Sequence, residues 1–80
     1  MKLTIDTKFD IGSTVYNVEL YYEYYAEKNP YTVVGVSISI SDHTMKTTYR
    51  IERDGELRTV SENSIFASYE ECAKWCEEHN

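Results

Sequence analysis

Apolar and polar residues alternate along most of the chain up to Val60, which is the pattern of β-strands. A short alternation over Lys2–Ile5 predicts a first strand, and Gly12 predicts a turn because glycine reaches positive φ without strain. From Thr14 to Tyr25 the alternation predicts one long strand. The core face of this strand is predicted to carry Tyr16, Val18, Leu20, Tyr22 and Tyr24.

The middle of the chain predicts two further strands separated by polar connections. Glu27–Pro30 is one connection, because Asn and Pro mark turns. A strand over Tyr31–Ile40 follows, and the connection Ser41–Thr44 leads into a strand over Thr47–Arg53. The predicted inward residues are Val34, Val36, Ile38 and Ile40 in the first of these strands, and Thr47, Tyr49 and Ile51 in the second.

The Asp-Gly pair inside Arg53–Glu56 is a strong hairpin signal. A two-residue loop would place Arg58 opposite Ile51, whereas a three-residue loop with the glycine as a bulge would place Leu57 there. The hydrophobic pattern favours the three-residue loop, because Leu57 would then join the buried face. Leu57–Val60 is the last predicted strand.

The C-terminal segment changes to a helical period. Ser68 and Glu71 have the spacing of a capping box, which predicts a helix over about residues 68–78. Ile65 and Phe66 are expected to anchor the approach to this helix. The stripe that packs on the sheet is predicted to contain Tyr69, Cys72, Ala73 and Cys76, with Trp75 on its flank.

These elements predict an α+β fold in a single domain over residues 1–80. It combines a small, antiparallel, strongly curled sheet of four to five strands over about residues 2–60 with one C-terminal helix. The longest uncharged stretch, residues 29–41, is interrupted by Pro, Gly, Ser and Thr, so we expect no membrane span. No apolar run near the start resembles a secretory signal, and a cytoplasmic address is expected.

Charge and aromatic content point to a protein-binding surface. The net charge of −6 argues against direct binding of nucleic acid. Eight of the eleven aromatic residues are Tyr, a residue suited to interfaces. The strand face opposite the predicted core carries an acidic aromatic stripe that consists of Glu19, Tyr21, Glu23 and Tyr25, followed by Tyr31.

Carboxylates on alternate residues of such a stripe lie about 7 Å apart. This spacing is close to the phosphate repeat of a nucleic-acid strand, so the stripe could occupy a basic groove of another protein. A solvated strand face and a dimer seam remain alternatives.

Other chemistry has weaker support. Cys72, Cys76 and His79 share a helix face and could ligate zinc, with His43 as the remaining candidate ligand. The alternatives are that both cysteines are buried core residues, or that they take part in redox or intermolecular disulfide chemistry, and we expect no metal and no cofactor. Asp42 and His43 beside Thr44 form a polar turn, and no catalytic motif stands out. We therefore expect no enzymatic activity.

Three stretches carry a family likeness: Phe9-x-Ile11-Gly12-x-x-Val15-Tyr16, Tyr49-x-Ile51 and Glu62-x-x-Ile65-Phe66-Ala67-Ser68-x-Glu70-Glu71-Cys72-Ala73. The chain resembles small proteins of phages and mobile elements in Gram-positive bacteria. This resemblance implies an SH3-like curled sheet followed by one C-terminal helix. The segment Tyr21–Tyr25 departs from the shorter strand expected of such proteins.

Three functional hypotheses follow. The first is a phage or mobile-element counter-defence inhibitor, a non-enzymatic module that occupies the basic nucleic-acid-binding surface of a host defence protein such as a nuclease, as a monomer or a homodimer. The second is a homo-oligomer that sequesters a small ligand such as a nucleotide signal, with phosphate contacts from Arg50, Arg53 and Arg58. The third is an accessory structural phage protein.

Overall fold

The computed structural model describes residues 7–80, and the predicted strand Lys2–Ile5 lies outside them. These residues form a small α+β fold with a six-stranded antiparallel sheet and one C-terminal helix. The sequence predicted four to five strands. The elements are β1 (Thr14–Tyr21), β2 (Glu23–Ala26), β3 (Tyr31–Ser41), β4 (Thr44–Arg53), β5 (Glu56–Ser61), a 3-10 turn (Glu62–Ser64), β6 (Ile65–Phe66) and α1 (Tyr69–His79).

β1 connects two parts of the sheet. The strand order is β2-β1-β3-β4-β5, and β6 pairs with β1 outside this path. β1 pairs with β3 only through Thr14 and Val15, and its later residues pair with β2 and β6. Within residues 7–80, β2 and β5 each pair with a single strand, so the described sheet is not closed.

The hydrophobic core lies between β1, β3, β4 and β6. Phe9 packs edge-on against Tyr49, with the ring centroids 5.5 Å apart. The Tyr49 hydroxyl donates to Glu62 Oε2 at 2.6 Å and accepts from the backbone N–H of Lys8 and Phe9. It therefore ties the chain before β1 to the 3-10 turn. The core residues are Phe9, Val15, Tyr31, Val33, Tyr49, Ile51 and Ile65.

The predicted strand Thr14–Tyr25 and its core face are wrong. The chain reverses at Tyr22, which has φ 67°, and β1 and β2 pair with each other on either side of it. The buried residues of β1 are Val15 and Asn17, whereas Leu20 and Tyr22 are exposed. Alternation alone did not identify the core side, because both faces of β1 carry apolar residues.

The opposite face of β1 and β2 packs against α1. Tyr16 contacts Tyr69 and Tyr24 contacts Trp75, both edge-on, with centroid separations of 6.1 and 5.1 Å. Because β1 lies between the core and the helix, both of its faces need apolar side chains.

The predicted inward face of β3 is wrong at Val34 and Ile40, which are exposed. Val33 pairs with Ile51 but Gly35 pairs with Arg50, so Val34 is an extra residue in a β-bulge. The bulge inverts the alternation. Tyr31 and Val33 are buried before it, and Val36 packs against the same core after it.

β4 confirms the predicted burial of Tyr49 and Ile51, but the predicted register of the following hairpin is wrong. Asp54 and Gly55 form a two-residue loop, both with positive φ (50° and 84°), and Ile51 pairs with Arg58. Positive φ at both loop residues is the geometry of a type I′ turn, whose twist matches that of the strands it joins. Leu57 is consequently exposed.

The C-terminal helix confirms the prediction. Ser68 is its N-cap, and the Ser68 hydroxyl accepts from the Glu71 backbone N–H at 3.3 Å. Cys72 and Cys76 are buried, and Ile65 is buried in β6. Within residues 7–80, α1 is the single α-helix, and it is too short and too polar to cross a membrane.

Candidate protein-binding surface

The reversal at Tyr22 produces a projecting aromatic tip. The Tyr22 side chain is 95% exposed and that of Tyr21 is 71% exposed, and their rings meet edge-on at 4.7 Å. Such exposure is unusual for large aromatic residues, which normally bury most of their area. We call this region the tip surface; it consists of Leu20, Tyr21, Tyr22, Glu23 and Tyr25.

The tip surface is held in place by the end of the helix. The Asn80 side chain accepts from the Tyr24 backbone N–H at 2.7 Å and donates to the Tyr24 carbonyl at 2.8 Å. The Tyr24 ring packs against Trp75. Because Tyr24 points toward the helix, its neighbours Glu23 and Tyr25 point the other way along β2.

Negative charge flanks the tip surface. Glu23 is exposed, and the exposed residues Glu77 and Glu78 lie within one helical turn of Asn80. The whole chain carries a net charge of −6. A positively charged surface would therefore be attracted to this side of the molecule.

Next to the tip surface, five charged residues form a network that we call the ion-pair cluster. Arg58 pairs with Glu19 and, at 3.0 Å, with Glu56. Arg53 pairs with Glu27 at 3.3 Å and with Glu56 at 3.9 Å. The cluster thus connects β1, β4, β5 and the connection after β2.

The acidic aromatic stripe is divided between these two regions and the core. Tyr21, Glu23 and Tyr25 lie together on the tip surface. Glu19 is half-buried in the ion-pair cluster, and Tyr31 is buried in the core. The carboxylate of Glu19 is therefore paired within the chain, and Glu23 is the exposed carboxylate of the stripe.

The three arginines predicted for phosphate contacts are not brought together. Arg53 and Arg58 lie on the inner face of the sheet in the ion-pair cluster. Arg50 is exposed and alternates with the buried Tyr49 and Ile51, so it lies on the outer face of β4.

Burial shifts the pKa of Glu27, which belongs to the ion-pair cluster, and that of Tyr31, which lies beside it. Burial, followed by the neighbouring Glu19 carboxylate, raises the pKa of Glu27. Burial and the nearby Glu27 carboxylate raise the pKa of the Tyr31 hydroxyl, which has no hydrogen-bond partner within the described residues. The Arg53 guanidinium covers the Tyr31 ring at 4.3 Å from its centroid.

The three candidate zinc ligands differ in burial, because the two cysteines are buried and the histidine is exposed. Cys72 and Cys76 are buried, and burial raises the pKa of Cys72 to about 12. His79 is exposed, stacked on Trp75, with Nδ1 2.8 Å from the Trp75 carbonyl oxygen. Residues 7–80 contain no group of three His, Cys, Asp or Glu side chains able to hold a metal ion.

The polar segment Asp42-His43-Thr44 is exposed. Asp42 and His43 form the turn between β3 and β4, and Thr44 is the first residue of β4. Asp42 has φ 44°, and the Thr44 hydroxyl donates to the Ser41 carbonyl at 3.0 Å. These contacts stabilise the turn.

Two interactions in this region were not predicted from the sequence: the contacts of Asn80 with Tyr24 and the ion pair of Arg58 with Glu19. Asn80 has no motif that connects it to Tyr24. Arg58 did have a signal, because the Asp-Gly pair is typical of the two-residue loop that places Arg58 opposite Ile51.

Comparisons of the chain with protein-family models, with curated proteins and with solved structures found no match.

Proposed function

We propose that the chain is a non-enzymatic protein-binding module whose tip surface docks on a basic surface of its partner. The observation that carries this proposal is the exposed pair Tyr21 and Tyr22 at a reversal held in place by Asn80. Tyr is enriched at binding hot spots because its ring supplies area and its hydroxyl tolerates water.

The backbone at Tyr22 supports the same proposal. A bulky residue at φ 67° is strained, and Gly or Asn would occupy this position at lower cost. Residues held in such conformations are concentrated at functional sites. The cost of keeping Tyr here is understandable when its ring contacts a partner.

Charge supports a basic partner. Glu23, Glu77 and Glu78 give the tip region a negative field, and the net charge of −6 would speed its encounter with a positive surface. The resemblance to phage proteins makes a host defence nuclease, acting in the cytoplasm, the proposed partner. In this role the module occupies the groove that normally holds nucleic acid. An SH3-like curl of the sheet belongs to the same proposal.

The nucleotide-sequestering alternative has less support. Its three arginines lie on two faces of β4 and β5, and Arg53 and Arg58 are paired with carboxylates. A phosphate would have to displace those carboxylates before it could bind. No observation favours the structural phage protein over either of these functions.

The test is capture of a partner from a Gram-positive bacterial lysate, followed by displacement of labelled duplex DNA from the purified partner. The double variant Tyr21→Ser with Tyr22→Gly removes both rings and leaves a residue suited to the turn. Leu57→Ser is the matched control, because Leu57 is also exposed but lies on β5.

We expect wild type and Leu57→Ser to capture a basic protein and displace its DNA, and the double variant to lose both activities. Glu23→Gln should reduce the salt dependence of binding. Equal capture and displacement by the double variant would contradict the assignment of the tip surface.

A further inference from the structure

We propose that the edge of β3 left unpaired within residues 7–80 pairs antiparallel with the same edge of a second copy of this chain, so that two sheets join into one. The proposal is independent of the tip surface, which lies at the junction of β1 and β2. It concerns the part of β3 after the bulge, Val36–Ile40.

Among the described residues 7–80, this part of β3 has a strand on one side only. On the β1 side, pairing ends at Val33, which donates its N–H to Ser13 and accepts from Gly12. Along residues 34–41, nothing in the described chain from position 7 onward pairs on that side, whereas β4 pairs on the other side as far as Ser41. Unpaired strand edges of this kind are templates for a further strand.

The turn between β3 and β4 determines which backbone groups face this edge. Ser41 and Thr44 flank a two-residue loop, and such a flanking pair hydrogen-bonds to each other. Because the pattern alternates, Ser39 and Ser37 also bond to β4. The N–H and C=O groups of Val36, Ile38 and Ile40 therefore point outward from the sheet.

After the bulge, the edge lacks the charges and prolines that protect many edge strands. β3 contains no charged residue and no proline, and Ile40 is 59% exposed. The strands β4 and β5, by contrast, contain charged residues at their exposed edges: Lys46 in β4 and Glu56 in β5. A second copy is the favoured occupant. Each copy has a net charge of −6, but pairing along this neutral strand places no like charges opposite one another.

The sequence of β3 is self-complementary in this arrangement. A twofold axis at Ile38 places Ile38 opposite the partner's Ile38, and Val36 opposite the partner's Ile40. Directly opposite residues share a face in antiparallel pairing, so the apolar side chains extend the core-side face of both copies. On the other face Ser37 and Ser39 are small and do not obstruct the approach.

The test is a charge swap at the axis, measured by sedimentation equilibrium. We expect the wild type to be a dimer at micromolar concentration. Ile38→Lys and Ile38→Glu should each be monomeric, because each places like charges opposite one another, and an equimolar mixture should form a heterodimer. Leu57→Lys is the matched control, since it adds the same charge to an exposed apolar site on β5, and it should stay dimeric.

A wild-type monomer would overturn the proposal, as would an Ile38→Lys variant that dimerises like wild type. If the lysine variant alone fails to fold, amide hydrogen exchange of the wild type decides. The proposal requires protection of the Ile38 N–H that increases with protein concentration. Protection that is independent of concentration would show that another segment of the chain covers this edge. The tip double variant should dimerise normally, so failure of either proposal can be recognised separately.

Discussion

The guanidinium of Arg58, on β5, forms an ion pair with the carboxylate of Glu19, on β1, although β3 and β4 separate these strands in the sheet order. The contact is made because β1 leaves β3 after Val15, and because the two-residue loop directs Arg58 to the inner face. It removes Glu19 from the exposed acidic surface. The tip surface is therefore mainly aromatic, with Glu23 as its charged residue and the carboxylates of Glu77 and Glu78 beside it.

The Arg58 and Glu19 pair should contribute modestly to stability. Both side chains are partly exposed, so a double-mutant cycle with Arg58→Met and Glu19→Gln should give a coupling energy of about 0.5–1 kcal/mol. Urea unfolding at low salt and at 1 M NaCl measures it, and the coupling should shrink at high salt. Arg50→Met, on the outer face of β4, is the control and should show no coupling to Glu19.

Two buried tyrosines should respond oppositely to loss of the hydroxyl. Tyr31→Phe removes an unpartnered buried hydroxyl, so the free energy of unfolding should stay constant or rise by up to about 1 kcal/mol. Tyr49→Phe removes the contacts to Lys8, Phe9 and Glu62 and should lower it by about 1–3 kcal/mol. Urea unfolding of the two variants is the measurement, and a larger loss for Tyr31→Phe would contradict the assignment.

Tyr22→Gly should not destabilise the protein. Glycine relieves the strain at φ 67°, and the lost ring is almost fully exposed, so the free energy of unfolding should rise by up to about 1 kcal/mol. Gly55→Ala, at φ 84°, is the complementary control and should lower it by about 1 kcal/mol. Thermal unfolding checks both, and strong destabilisation by Tyr22→Gly would show that the ring supports the fold.

Glu27 should make the protein more stable as the pH falls, whereas a carboxylate with a lowered pKa has the opposite effect. Its pKa is raised above the ordinary 4.5, so the folded state takes up this proton before the unfolded state does. As pH falls from neutrality toward 4.5, the contribution of Glu27 to the free energy of unfolding should therefore increase. Comparing wild type with Glu27→Gln by urea unfolding across this range isolates the contribution. Parallel curves for the two proteins would contradict the raised pKa.

Local signals predicted the fold where one residue type determines one conformation. The Ser68 cap, the turn at Gly12, which has φ 96°, and the inward residues of β4 were all predicted. In each case the signal that predicts the feature lies within a few neighbouring residues of the sequence.

The remaining features depend on contacts that sequence periodicity does not report. The bulge at Val34 inverts the faces of β3, and a single inserted residue leaves no compositional mark. The chain after the reversal at Tyr22 is hydrogen-bonded at Tyr24 by Asn80, which is distant in the sequence. The hydrophobic pattern predicts burial of Leu57, but the geometry of the Asp54–Gly55 loop and the pairing of Arg58 with Glu19 on the inner face determine the hairpin register.

The most direct test of the central claim is the dissociation constant of the purified basic partner for wild type and for the variant carrying both Tyr21→Ser and Tyr22→Gly. Hot-spot residues contribute more than about 1 kcal/mol each, so we expect the variant to bind at least about tenfold more weakly, with a melting temperature no lower than that of wild type. Equal dissociation constants for the two proteins would show that the tip surface is not the binding surface.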